Sequence, residues 1–109
     1  SLVVYFDYDQ SQIKPEFMKT LQLHAQFLQE HPNIQVSIAG HCDERGTPEY
    51  NVALGQRRAQ MVAEVLLGRQ VAGAQLANIH SYGASMPVAF GQTEADYAQN
   101  RRVEIRYQQ

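Results

Sequence analysis

The sequence predicts a two-layer α/β (α+β) sandwich, with a mixed four-stranded sheet and two long helices on one face. Short apolar runs rich in β-branched and aromatic residues open, interrupt and close the chain. Two longer stretches between them place apolar residues at three- and four-residue steps. The resulting order is strand, helix, strand, helix, strand, short helix, strand, with no internal repeat, low-complexity tract or linker. Strands separated by helices need crossover connections, which are right-handed and set neighbouring strands parallel.

The first strand covers residues 2–6, where Leu2, Val3, Val4, Tyr5 and Phe6 are apolar on both faces, as in a central strand covered on two sides. Asp7, Tyr8, Asp9, Gln10 and Ser11 are turn residues. Pro15 suits the opening turn of a helix, where its missing N–H costs nothing. From 15 to 31, Phe17, Leu21, Ala25 and Leu28 form one helical face, and Pro32 ends it. Ile34, Val36 and Ile38 then alternate with Gln35, Ser37 and Ala39, the period of a second strand.

Thr47 followed by Pro48 signals a second helix, a side-chain cap and then a residue preset for helical φ. It should run to about Leu67, with a core stripe of Val52, Gly55, Ala59, Val62, Ala63 and Leu66. Gly55 costs about 1 kcal/mol against Ala in such a helix, which suggests close backbone approach. A short turn at 74–76 and a third strand at 79–82 follow. Residues 83–92 read as a surface loop, and Thr93 with Asp96 as a capping box opening a short helix. Val103, Ile105 and Tyr107 alternate with Arg102, Glu104 and Arg106 as a final half-exposed strand. Of Arg101 and Arg102, one should face solvent and the other hold the preceding loop's carbonyls.

A single domain over residues 1–109 is expected, since 109 residues bury about two-thirds of their unfolded surface around one core. The chain is 44% hydrophobic and 18% charged, ordinary globular usage. Nine Lys and Arg against eleven Asp and Glu leave a formal charge of -2, with no electrostatic footprint for nucleic acid. The lone Cys42 allows neither an intrachain disulfide nor a cysteine-based zinc site. No apolar run approaches the roughly 20 residues that span a bilayer, and no signal peptide precedes the first strand, as in a trimmed, soluble domain.

The functional stretch is GHCDERGTPEYNVALGQRRA, from Gly40 to Ala59. At about 100° per residue, Arg57 points away from the core stripe, whereas Arg58 lies at its edge, in line with Asn51 about 10 Å along the axis. Asp43, in the loop feeding that helix, can face Arg58 across a groove. Two readings are open. In one, the pair is an internal salt bridge fixing the loop; in the other, the groove recognises a zwitterion, with Asp43 taking an ammonium and Arg58 a carboxylate.

His41, Cys42 and Asp43 in a row invite a cysteine-hydrolase or metal reading. Neighbours on an extended chain point to opposite sides, so His41 and Cys42 make a poor nucleophile and base pair. Cys42 reads as a small buried hydrophobe. His24, His31 and His80 lack the paired spacing of a zinc motif, and structural or surface roles suit them. Tyr5, Phe6, Phe17, Phe27 and Phe90 read as core or loop anchors.

GHCDERGTPEYN and LGQRRA, with VYFDYDQSQI before them and SYGASMP and NRRVEIRY after, resemble in order the OmpA-like peptidoglycan-binding domain. The resemblance covers essentially the whole chain and is strongest to the lipoprotein branch of the Tol-Pal system. It implies the ordering β-α-β-α-β-(short α)-β and no catalysis, cofactor or metal. The implied ligand is the peptidoglycan stem peptide, held through meso-diaminopimelate by Asp43 and Arg58, with Asn51 and Leu54 in the same motif. Asp7, Tyr8 and Asp9 would add first-loop contacts, and Arg45 and Tyr82 the rim.

The same resemblance implies TolB and TolA as partners, and an outer-membrane anchor through a lipid upstream. The expected location is the periplasmic face of the outer membrane of a Gram-negative bacterium. Cys42 departs from the Thr common in the wider family. The rivals are another wall anchor of this fold, a porin tail or flagellar stator domain, and a hydrolase using Cys42.

Overall fold

The computed structural model describes residues 2–108. The chain runs β1 (Leu2–Tyr5), α1 (Pro15–Glu30), β2 (Gln35–His41), α2 (Pro48–Gly68), β3 (Leu76–Gly83), α3 (Glu94–Asn100) and β4 (Arg102–Gln108), with a 3₁₀ turn at Gly73–Gln75 before β3. The strands form one open sheet in the order β1-β4-β2-β3. Only β2 and β3 are parallel, while β4 is antiparallel to both β1 and β2.

Two expectations change with this order. β1 is an edge strand rather than a central one, and β4 is central rather than half-exposed. The last strand inserts between β1 and β2, pairing Val103 with Val4 on one side and with Gly40 on the other. Parallel neighbours therefore survive only at β2 and β3. The apolarity of both faces of β1 has a local cause: Val4 enters the core, while Tyr5 lies 6.2 Å, centroid to centroid, from Phe17 of α1.

Both long helices cover one face of the sheet. Leu21, Ala25 and Leu28 of α1 and Ala59, Val62, Ala63 and Leu66 of α2 meet Val4, Val36, Ile38, Val103 and Ile105 in one core. α1 begins on Pro15 and ends at Glu30, because His31 precedes Pro32 and leaves the helical region at φ -129°. Gln75, buried in the turn before β3, donates to the carbonyls of Leu28 (2.8 Å), His31 (3.1 Å) and Ile34 (3.0 Å). One amide thus ties the end of α1 to the start of β3.

α2 is capped by Thr47, whose Oγ1 accepts from the Tyr50 N–H at 3.1 Å. Its buried stripe is Asn51, Leu54, Gly55, Arg58, Ala59, Val62, Ala63 and Leu66. Val52, expected in that stripe, is 48% exposed. The first turn of α2 covers the polar loop after β2 rather than the apolar core, so Asn51 faces inward and Val52 leans on Gly83. Deeper along the helix, backbone meets backbone: a Cβ on Gly40 would lie 1.8 Å from the Gly55 carbonyl oxygen, and one on Gly55 would lie 2.2 Å from Ser81 Oγ. Gly55 is needed for that contact.

The opposite face of the sheet carries a polar layer instead of helices. Arg102 is buried at 3% and Arg101 at 5%, so neither faces solvent as one was expected to. Arg102 pairs with Glu104 at 2.8 Å and donates to the Met86 carbonyl at 2.9 Å, pulling the 84–92 loop against the sheet. Buried Asn100 accepts from the N–H groups of Val88 and Ala89 and donates to the Ala89 carbonyl. Phe90, expected to anchor, is 83% exposed; polar contacts at its neighbours fix the loop without it.

Candidate binding site

The site lies where the loop after β1 and the loop after β2 meet the first turns of α2 and α3. β2 delivers Asp43 just beyond its last residue. The Asp43 side chain is 5% exposed. It accepts from Arg45 Nη2 at 2.7 Å, Arg45 Nε at 3.2 Å and the Arg45 backbone N–H at 3.0 Å. Arg101 Nη1 lies 3.5 Å away. Burial pushes the carboxyl up, but the side-chain and backbone hydrogen bonds from Arg45, with Arg101, outweigh it and hold the group below its ordinary value.

The expected face-to-face pairing of Asp43 with Arg58 does not occur. Arg58 sits at the centre of the α2 stripe rather than its edge and is fully buried. Its Nε donates to the Gln10 carbonyl at 2.7 Å, Nη2 to the Asp7 carbonyl at 3.1 Å and Nη1 to the His41 carbonyl at 2.9 Å. A guanidinium under the sheet's end collects carbonyls from the first loop and the end of β2, a role that needs its fork of donors. Desolvation lowers its pKa below the ordinary arginine value.

The half-exposed guanidinium of the site belongs to Arg45. It lies between two aromatic faces, 4.1 Å from the Tyr8 ring centroid and 4.3 Å from that of Tyr97. Hydrogen bonding to Asp43 raises its pKa. Arg101, beside it, donates to the Phe6 carbonyl at 2.9 Å and pairs with Glu94 at 2.8 Å. The α3 residues Glu94 and Tyr97 and the buried Arg101 were invisible as site residues in the sequence; only the paired arginines before β4 hinted at them.

Of the remaining candidates, Asn51 and Leu54 are buried beneath the loops. Asn51 supplies a carbonyl to the Cys42 thiol at 3.2 Å. Tyr8 is exposed and stacked on Arg45. Asp9 takes φ 56° and accepts from the Tyr50 hydroxyl, pinning the first loop to α2. Asp7 pairs with Lys14 at 3.3 Å, on the outer side of the same loop.

Tyr82 stands apart from this rim. Its ring stacks on His41 at 5.4 Å and meets His80 edge-on at 4.8 Å, on the open face of the sheet. The strand period sends alternate residues of β2 and β3 to opposite faces, and Tyr82 falls on the face away from α2.

Cys42 is buried, its thiol pKa raised by desolvation, and its sulfur lies against the Asn51 carbonyl and the Arg58 guanidinium. His41 is not its partner. Both imidazole nitrogens of His41 are buried without a hydrogen-bond partner among the described residues. Among those residues, no group of three or more His, Cys, Asp or Glu side chains could hold a metal ion, and no helix is long and apolar enough to cross a membrane.

A mixed sheet with helices on one face and charged loops converging at one end is the architecture of a known family. The chain belongs to the OmpA family, which residues 5–101 match.

Within it, the chain is similar to the peptidoglycan-associated lipoprotein of Pseudomonas putida, 51% identical over 102 residues that cover 94% of this chain and 60% of that one. The peptidoglycan-associated lipoprotein of Pasteurella multocida is 44% identical over 95% of this chain and 69% of its own. The crystal structure of the peptidoglycan-associated lipoprotein from Burkholderia pseudomallei superposes with a TM-score of 0.96 at 45% identity, covering 99% of this chain and 91% of that one. The C-terminal domain of Helicobacter pylori MotB shares the fold, with a TM-score of 0.89 at 23% identity over 100% of this chain and 85% of that one. The chain spans about 60% of the length of the first two curated relatives, 60% and 58%.

Proposed function

We propose that this domain is a non-enzymatic module that binds peptidoglycan and tethers the outer membrane to the cell wall, from the periplasmic face of that membrane in a Gram-negative bacterium. The ligand is the stem peptide, read at the zwitterionic centre of meso-diaminopimelate. The observation that carries this reading is the cluster at the sheet's end: a buried carboxylate, Asp43, held by the guanidiniums of Arg45 and Arg101, with Tyr8 stacked on Arg45 and the buried Arg58 holding the adjoining loop.

In this reading Asp43 takes the ligand ammonium, and the positive charge of Arg58 and Arg45 takes the carboxylate. Arg58 reaches it by exchanging the Asp7 carbonyl for a ligand oxygen as residues 7–10 move aside. Asn51 and Leu54 form the floor, and Asp7, Tyr8 and Asp9 the wall. Charge-assisted hydrogen bonds contribute roughly 1.5 to 3 kcal/mol each, enough for reversible attachment. Many anchored copies facing one polymer make the tether firm.

The 44–51% identity to proteins named peptidoglycan-associated lipoprotein supports the lipoprotein branch over a porin tail or stator domain. With that branch come a lipid on an upstream cysteine and a place in the Tol-Pal system, with TolB and TolA as partners. Cys42 as a hydrolase nucleophile has no support in its buried, raised-pKa thiol.

The test is an NMR titration with a defined muropeptide containing meso-diaminopimelate, repeated with a lysine analogue that lacks the side-chain carboxylate. Preference for the carboxylate form is expected, as is loss of binding in Asp43→Ala and Arg58→Ala with retention in Arg57→Ala. Equal affinity for both muropeptides, or equal losses in all three variants, overturns the assignment.

A further inference from the structure

The end of β2 has two sides. On the helix side, the His41 carbonyl accepts from Arg58 at 2.9 Å, and two residues on stands Asp43. On the open side, the His41 ring is held in the groove formed with Ser37, His80, Tyr82, Met86 and Val88. His41 is 2% exposed, and neither ring nitrogen has a partner among the described residues. One residue therefore carries a site contact on its backbone and an unsatisfied titratable group on its side chain.

The charges around the ring are unequal. β4 presents Arg102, Glu104 and Arg106, while β3 presents His80 and the Tyr82 phenol. Glu104 is the one carboxylate of this set, and its two oxygens are taken by Arg102 and Arg106, each at 2.8 Å. A proton added to His41 would thus be buried among cations, with no free carboxylate to receive its N–H groups and Tyr82 stacked across the ring at 5.4 Å.

We propose that His41 is a proton-sensitive latch on the binding loop: protonation drives its ring out from under Tyr82, distorts the end of β2, and loosens the 42–46 loop that Arg58 and Asp43 organise. Burial and the neighbouring Arg102 depress the His41 pKa to about 4, so the neutral, closed form is the one present near neutrality. The latch opens on acidification.

The latch rests on the peptidoglycan-binding reading only for its consequence, so the experiment has two arms. In the first, the His41 Hε1 shift, the Tyr82 ring signals and the amide exchange of residues 42–46 are followed by NMR from pH 7.5 to 3.5 in the protein alone. Ring, phenol and loop should change together with one midpoint well below that of a free histidine. In Arg106→Gln, a change on an exposed side chain that removes one neighbouring cation, the midpoint should move up. In His41→Phe the coupled transition should vanish. His41 titrating near pH 6.5 without a loop response, an unmoved midpoint in Arg106→Gln, or the same loop transition in His41→Phe overturns the latch; the first two outcomes remain readable if His41→Phe does not fold.

In the second arm, muropeptide affinity is compared at pH 7 and at pH 3.5, below the His41 midpoint. It should fall in the wild type, and fall further in Arg106→Gln. Affinity unchanged across that range in both proteins overturns the consequence for binding. A muropeptide that does not bind at pH 7 overturns the proposed function, and the latch is then decided by the first arm.

Discussion

Asp43 and Arg58 share the end of the sheet without forming an ion pair: Asp43 is bound by Arg45 and Arg101, and Arg58 by the carbonyls of Asp7, Gln10 and His41. The two residues are organised in layers. Arg58 beneath fixes the loops on which Asp43 and Tyr8 stand, and its removal affects folding as well as recognition.

Arg58→Ala should therefore cost about 3 to 5 kcal/mol of stability by denaturant unfolding, since it leaves a cavity and three backbone carbonyls without their donor. Arg58→Lys should restore little of it, because one ammonium cannot span three acceptors in the plane of the guanidinium. Arg57→Ala, on the exposed side of α2, should stay within about 0.5 kcal/mol of wild type. Matching losses at 57 and 58 would contradict the layered arrangement.

Arg45 is half-exposed and held by Asp43 and two tyrosine faces. Arg45→Ala should cost only about 1 to 2 kcal/mol. Its sharper signature is electrostatic. With its main hydrogen-bond donor gone, the Asp43 carboxyl should titrate at higher pH, which carboxyl-carbon NMR shifts will report; an unmoved titration would mean that Arg101 suffices.

At the crossing of β2 and α2, Gly40→Ala should be the worse of two glycine substitutions. Its Cβ meets the Gly55 carbonyl at 1.8 Å, which is backbone and cannot turn aside. A loss of about 3 kcal/mol or more is expected. The Cβ of Gly55→Ala meets Ser81 Oγ at 2.2 Å, a side chain that can rotate after giving up its bond from the Gly83 N–H. Better helix propensity returns about 1 kcal/mol there. Ser81→Ala should rescue part of the Gly55→Ala loss and none of the Gly40→Ala loss, as read from unfolding midpoints.

Acid should weaken the fold in two stages. The unfolded chain takes up a proton on His41 around 6.5 and the folded chain only at about 4. Stability falls as pH drops from about 6.5, and this loss levels off below about 4 at up to about 3 kcal/mol. Asp43 and Glu104 act later. Their folded pKa values lie below the ordinary 3.8 and 4.5, because hydrogen bonds from Arg45 and Arg101, and from Arg102 and Arg106, outweigh the opposing effect of burial. Their contributions are present above those ordinary values and lost as pH falls through the folded ones. Denaturant midpoints across pH should show a larger first stage in wild type than in His41→Phe, where His24, also lowered by burial, is left to contribute.

The helices were legible because each announces its own boundaries: Pro15 and Pro32 frame α1, and Thr47 with Pro48 opens α2. Gly55 was legible as a close approach, since a glycine in the middle of a buried helical stripe needs a backbone neighbour. Val52 misled because the periodic rule takes any apolar residue near the stripe as core, whereas the first turn of α2 covers a polar loop. Tyr82 misled because nearness in sequence to Gly83 and the loop does not say which face of the sheet a strand residue takes.

The sequence by itself determined the elements, their order, the two-layer class and the family, since periodicity, caps and motif order are local properties of the chain. Tertiary structure alone decided that β4 enters the middle of the sheet, that Arg101 and Arg45 rather than Arg58 hold Asp43, and that the His41 ring is buried with no partner among the described residues. These depend on strand pairing and on contacts between residues as far apart as Phe6 and Arg101. Such choices are made by the competition of buried polar groups for a limited set of partners, which no local pattern records.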